Sequence, residues 1–195
     1  MTLKTLFQDL ANALDGSLPI EVQGREALLA ASPPDEAPTA SSPLSAEFLT
    51  VLTGKDASPL CAKIATTSLP WASPKTSEDP RYRQLGHTKT YVELIGPGGI
   101  VRDETIRLGL YGIRSNVEYG IRTHPAEELF VMLAGEADWK RGPLPYVTHR
   151  AGDRSHHPSM MPHATRTQNS AFMSVYIWIG DLSDDGYVYH GLPTA

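Results

Sequence analysis

Two stretches of this chain carry residue types that hold metal ions. In the first, His124 is followed by Glu128 after three residues and by Gly135 after six more. In the second, Gly152 opens a turn, Pro158 lies six residues on, and His163 follows Pro162. Two imidazoles and a carboxylate delivered from strands on either side of a barrel make a three-ligand site. They suit a first-row divalent ion, zinc or iron first and manganese, cobalt or nickel after them, and they leave positions open for water or substrate. An isolated histidine is ordinarily a hydrogen-bonded structural residue. Here two of them recur with a carboxylate and turn glycines at spacings that suit a barrel.

Stepping two residues along a strand keeps a side chain on one face, so Arg122 and His124 face the same way. Pro125 and Ala126 then interrupt the strand. Beyond them Glu128, Phe130 and Met132 alternate with Leu129, Val131 and Leu133, which places Glu128 and Phe130 on one face. Glu127 is the competing carboxylate, and parity with Phe130 and Met132 favours Glu128. Gly135, between Ala134 and Glu136, is expected to form a tight turn because glycine accepts positive φ.

Positioning these residues requires strands, and the second half of the chain has the pattern for them. From Thr88 onward, short alternating runs are separated by glycine and proline: 90–95, 106–113, 117–123, 127–133, 136–141, 145–149, 153–157, 163–168 and 171–180. That spacing argues for an all-β barrel or sandwich, with the apolar run 171–180 as a central strand. The first 80 residues differ. Leu3, Leu6, Phe7, Leu10 and Leu14 recur at helical spacing, so 2–14 is expected to be an amphipathic helix, with others over 22–31, 44–53 and 57–66. Residues 32–43 and 68–80 are rich in proline and serine and read as linkers or loops. The expected division is a helical extension over 1–80 and a metal-bearing barrel over 81–195.

Composition bounds the rest. A length of 195 residues suits a single domain or a barrel with an extension, and the formal net charge of −5 with no basic run argues against a nucleic-acid binder. A single cysteine, Cys61, rules out a disulfide within the chain and reads as a buried thiol. Asp9 interrupts the start where a secretory apolar stretch would continue, and no segment reaches membrane-spanning length. The expectation is a cytoplasmic protein acting on a small molecule, without nucleic acid or membrane.

The pattern His-x3-Glu-x6-Gly followed by Gly-x5-Pro-x4-His resembles the two cupin motifs. In detail, the runs 124–128, 133–139 and 156–167 resemble the cupin-type dimethylsulfoniopropionate (DMSP) lyases, and the similarity extends to helices placed before a C-terminal barrel. The resemblance implies a mainly β cupin barrel (a double-stranded β-helix or jelly roll) with an N-terminal α-helical extension. It implies metal ligands at His124, Glu128 and His163 and a catalytic role for Tyr119. Two positions depart from the pattern. Arg122 stands where the cupin His-x-His pair has its first histidine, and Phe130 stands where the family tends to have a tyrosine, so no proton can be taken there.

DMSP carries a carboxylate, a sulfonium and an acidic proton between them. Its cleavage is a β-elimination to dimethyl sulfide and acrylate, and it needs a base and charge stabilisation at the carboxylate. Tyr119 is the expected base. It lies five residues before His124, on the opposite parity unless a bulge at Gly120 intervenes. Tyr111, Tyr146, Tyr176 and Tyr189 are reserves. Trp139 and Trp178 are candidates for the cationic end, with core packing as the alternative role of either and Phe130 as another wall, and Arg122 is expected to pair with the carboxylate or to hold a glutamate. His156 and His157 are adjacent, so at most one faces inward, in a supporting role. Two other readings fit a cupin: a non-haem Fe(II) oxygenase, and a protein that binds a small carboxylate without turning it over. Cupin barrels often pair, which leaves a homodimer open.

Overall fold

The computed structural model describes residues 2–37 and 42–193. Of the expected loop over 32–43, residues 38–41 lie outside the described residues. Four helices precede the barrel: α1 (Leu3–Ala13), α2 (Pro19–Ala30), α3 (Ala46–Leu52) and α4 (Cys61–Thr66). The Thr2 hydroxyl accepts from the Thr5 N–H and starts α1. Helix α2 begins earlier than its apolar spacing suggests, because Pro19 fits the first helical turn, where no N–H is needed. A short helix, α5 (Pro80–Gln84), lies where a linker to the barrel is expected: Pro80 opens it and the Asp79 carboxylate accepts from the Arg81 and Tyr82 N–H groups. No described helix is long and apolar enough to cross a membrane.

Ten strands follow: β1 (Lys89–Gly96), β2 (Val101–Arg102), β3 (Ile106–Ile113), β4 (Glu118–Thr123), β5 (Glu127–Arg141), β6 (Val147–Arg150), β7 (Arg154–His157), β8 (His163–Arg166), β9 (Phe172–Ile179) and β10 (Val188–Gly191). They run β10-β4-β8-β5-β9-β3-β1-β2, and β6 and β7 also pair with β5. The long strand β5 serves both walls of the barrel. Its first half pairs with β9 and β7, and its second half with β8 and β6.

The expected turn at Gly135 is therefore not a turn. Strand β5 continues through it, with a register shift against β9 between Met132 and Ala134 and a φ of +71° at Gly135. A Cβ at Gly135 would lie 1.9 Å from the Ala171 carbonyl oxygen, so glycine is needed there for close approach as well as for its backbone angle. The strand bends from one wall to the other where a hairpin was expected.

Alternation divides the apolar residues into two clusters. Leu108, Leu110, Leu129, Val131, Val175 and Ile177 point outward and share one core with Leu3, Leu6, Phe7 and Leu10 of α1 and with Ile20 of α2. Tyr111, Phe130, Trp139, Phe172, Tyr176 and Trp178 point into the barrel. Strand β9 is covered on both faces, which accounts for its being the longest apolar run.

Candidate metal centre

The inner face of the barrel collects three candidate metal ligands from strand ends. His124 follows β4, Glu128 lies at the start of β5, and His163 opens β8. All three are buried. The Oε2 atom of Glu128 stands 3.5 Å from Nε2 of His124 and 3.1 Å from Nε2 of His163. Neighbouring ligands around an ion with bonds of about 2.0–2.2 Å are separated by roughly 3.0–3.5 Å. Among the described residues these three form the group of histidine, cysteine or acidic side chains able to hold a metal ion.

The tautomers agree with that role. Nδ1–H of His124 donates to the Ala126 carbonyl at 3.0 Å, and Nδ1–H of His163 donates to the Met161 carbonyl at 2.8 Å. Each bond leaves Nε2 with its lone pair free and aims it at the carboxylate. Neither Nε2 has a good hydrogen-bond partner in its buried setting. Two orphaned imidazole nitrogens around one carboxylate oxygen fit a divalent cation, since buried polar atoms are otherwise satisfied. Burial, with the Arg122 charge adding to it, holds His163 well below the usual histidine range. Burial pushes Glu128 up, but the neighbouring His124 and the hydrogen bond from His157 outweigh it and keep the carboxyl well below the carboxylate range. Neutral imidazole and ionised carboxylate are the forms that bind metal.

Two more residues fix Glu128. His157 of β7 lies directly opposite it in register, and its Nδ1–H donates to Oε2 at 3.0 Å. The Ser155 hydroxyl donates to Nε2 of the same ring at 2.9 Å, and the ring stacks on His163 with centroids 4.2 Å apart. Trp178 of β9 donates its Nε1–H to the other carboxylate oxygen at 2.6 Å and stacks on His124 at 4.4 Å. Trp178 thus orients the Glu128 carboxylate as well as walling the cavity. Of the adjacent pair, His157 faces inward, while His156 bonds Glu127 at 2.8 Å outside the group.

Beside the three ligands is a cavity of about 200 Å³ lined by Tyr111, Tyr119, Arg122, Phe130, Tyr176 and Trp178, among others. It is smaller than the roughly 300–1,000 Å³ of pockets that take drug-sized ligands, so it suits a small solute. Tyr119 points inward with Arg122 because β4 is bulged: Tyr119 pairs with Thr165 and Arg122 with His163, three residues against two. Gly120 permits this, since a Cβ there would lie 2.2 Å from the Gly191 carbonyl oxygen on β10. The Tyr119 hydroxyl bonds the Tyr187 hydroxyl, and Tyr187 stacks on His124 with centroids 5.8 Å apart.

Arg122 is 2% exposed and donates from Nη2 to Thr165 Oγ1 at 3.2 Å. Its Nη1 has no partner among the described residues. Phe130 packs between Trp139, at 4.5 Å, and Tyr111, at 5.5 Å. Trp139 was a candidate for the cationic end of a substrate, but it sits behind Phe130, packed at a tilt against that ring and against His157. The second half of β5 carries it away from the cavity lining. Of the reserve tyrosines, Tyr111 and Tyr176 line the cavity, Tyr189 stacks on the Tyr119 ring, and Tyr146 packs under Arg166. Tyr187 escaped the sequence reading because it lies between strands, where no periodicity marks it. Pairing of β7 with β5, invisible in the sequence, is what brings His157 to Glu128.

Comparison with known proteins agrees with this architecture. The family model for dimethylsulfoniopropionate lyase matches residues 26–174. Dimethylsulfoniopropionate lyase DddQ of Ruegeria pomeroyi (strain ATCC 700808 / DSM 15171 / DSS-3) is 38% identical over 89 residues, which cover 46% of this chain and 44% of that protein. The aligned stretch thus spans less than half the length of that relative. A chain from the crystal structures of the DMSP lyases RdDddP and RnDddQII superposes with a TM-score of 0.69 at 20% identity, covering 96% of this chain and 97% of the other. The crystal structure of DddQ from Ruegeria pomeroyi DSS-3 gives 0.62 at 24% identity, with 96% and 98% covered. These structures share the fold, a cupin barrel behind N-terminal helices.

Proposed function

Since the chain belongs to the dimethylsulfoniopropionate lyase family, we propose that its cavity cleaves DMSP to dimethyl sulfide and acrylate, with a divalent metal, zinc or iron first, held by His124, Glu128 and His163. The observation that carries this reading is the pair of orphaned imidazole nitrogens around Glu128, set beside a cavity that also holds Tyr119 and an unpartnered guanidinium nitrogen.

When bound, the divalent ion supplies Lewis acidity at the substrate carboxylate. The chain's own residues do the rest. Arg122 Nη1 donates to that carboxylate, an interaction suited to a buried donor with no other acceptor. Phe130, Tyr176 and Trp178 turn aromatic faces to the sulfonium, which is attracted to their quadrupoles. The Tyr119 oxygen, as phenolate, takes the proton from the carbon next to the carboxylate. The released electron pair becomes the carbon–carbon double bond, and the carbon–sulfur bond breaks with its pair on sulfur. Phe130 bears no ionisable group, so it takes no part in proton removal. A second reading rests on that same Phe130: the site binds a small carboxylate and does not turn it over.

The test is headspace dimethyl sulfide from metal-loaded protein and DMSP, beside His163→Ala and Tyr119→Phe. Release that disappears in both variants is the expected result. No release from the unaltered protein with metal bound overturns the lyase reading in favour of the second.

A further inference from the structure

Lys89 opens β1 and is 3% exposed. Its Nζ has no hydrogen-bond partner among the described residues. It lies 3.6 Å from the ring centroid of Tyr82 and 4.1 Å from that of Tyr119. The Arg122 guanidinium carbon stands 4.2 Å from the same Tyr119 centroid. Two buried cationic side chains therefore meet one phenol, and neither makes an ion pair with a carboxylate among the described residues.

A buried ammonium is costly without an oxygen or an opposite charge beside it. Neutral tyrosine faces compensate only in part. A phenolate would serve as the missing counter-charge. Tyr119 rather than Tyr82 is placed to provide it, because Arg122 stands over its ring too and the Tyr187 hydroxyl bonds its oxygen. The Tyr82 oxygen instead accepts from the Thr76 N–H at 3.3 Å.

We propose that Lys89 is a positioning residue for proton removal, acting through Tyr119: its ammonium, seated on the ring faces of Tyr82 and Tyr119, favours the Tyr119 phenolate. This rests on Tyr119 being the base of the reaction proposed above. Lys89 does not line the cavity and holds its proton while Tyr119 is ionised; the proton lost from Tyr119 goes to solvent before substrate enters. The groups that face Tyr119 are Arg122 of β4, Tyr82 of α5, Tyr111 of β3, Tyr189 of β10 and Tyr187 of the segment after β9. Burial pushes the phenol up, the tyrosines add to this, and Arg122 pulls it down. Burial, followed by the Arg122 charge, lowers Lys89 to about 7. Ionisation of Tyr119 would favour the charged form of Lys89, and the charged form of Lys89 would favour ionisation of Tyr119.

The experiment is a phenolate titration by near-ultraviolet absorbance on metal-loaded protein. The transition missing from Tyr119→Phe is assigned to Tyr119. In Lys89→Met it should move up by about one pH unit, a tenfold change in the ionisation constant. In Lys89→Arg, which keeps the charge, it should stay near its original position. The rising limb of kcat/KM for dimethyl sulfide release should move with it, giving a roughly tenfold loss at neutral pH that recovers in alkali. A purely structural role would lower the rate at every pH and leave the phenolate transition in place, and that result overturns the proposal. Should Lys89→Met fail to fold, Lys89→Gln takes its place, and a transition that moves equally in Lys89→Arg also overturns it. Because the titration needs no turnover, a protein with no lyase activity can still confirm or refute the role of Lys89.

Discussion

Replacing Trp178 by phenylalanine removes one hydrogen bond and keeps an aromatic ring. The bond runs from Nε1–H to Glu128 Oε1 at 2.6 Å, in a buried setting where water cannot substitute for it. Hydrogen bonds to charged groups contribute about 1.5–3 kcal/mol. At about 1.4 kcal/mol per tenfold, that is a weakening of metal affinity by roughly 10- to 100-fold, the range found when partners of metal ligands are removed. The control is Trp139→Phe. That indole is equally buried, but its N–H has no hydrogen-bond partner among the described residues, so only packing is lost. Zinc affinity is measured by competition with a chromophoric chelator, with folding checked by circular dichroism. Equal affinities for the two variants, or a Trp178→Phe value within about threefold of the parent, would refute the view that Trp178 sets the metal ligand's orientation.

Two further outcomes follow from the same geometry. Arg122→Met should raise KM for a carboxylate substrate by roughly 10- to 100-fold, because a charge-assisted bond from Nη1 is lost, while thermal stability stays level or rises as a buried charge gives way to an apolar side chain; an unchanged KM refutes the assignment. In chelator-treated protein, acid should destabilise the fold through His157, which burial depresses from 6.5 to about 4. Above pH 6.5 that ring is neutral in both folded and unfolded chains and contributes no pH dependence. Between 6.5 and 4 the unfolded chain binds the proton and the folded chain does not, so stability falls as pH drops, by about 3 kcal/mol for this residue. Urea denaturation across that range measures it, and His157→Gln should make the slope shallower by that amount, leaving the part that His163 supplies.

Alternation made much of this site legible in the sequence. It separated Glu128 from Glu127 and placed Phe130 beside it, because a strand buried on one side by helices and on the other by a barrel interior must sort its side chains by parity. The bulge at Gly120 was readable as well, since a glycine next to a parity conflict has few other uses. What parity could not show was pairing. His157 comes to Glu128 only through the β5–β7 register, and Trp178 only through β5–β9. Gly135 has the composition of a turn, yet the strand passes through it because two walls of the barrel share one strand. Lys89 gives no local signal, since nothing near it in the chain tells of the rings of Tyr82 and Tyr119 that cover it.

The three ligands arrive from the end of β4 and the starts of β5 and β8, and β8 reaches its place only when it pairs with both of the others. No single hairpin contains the set. A metal held by this set would therefore recognise the completed topology and not a fragment of it, and would act as a thermodynamic brace for the whole fold. By mass action, an ion at a hundred times its dissociation constant adds about 2.7 kcal/mol to unfolding, as much as a large core side chain. The lifetime of this protein in a cell would then depend on metal supply even in a lineage where the chemistry had been lost.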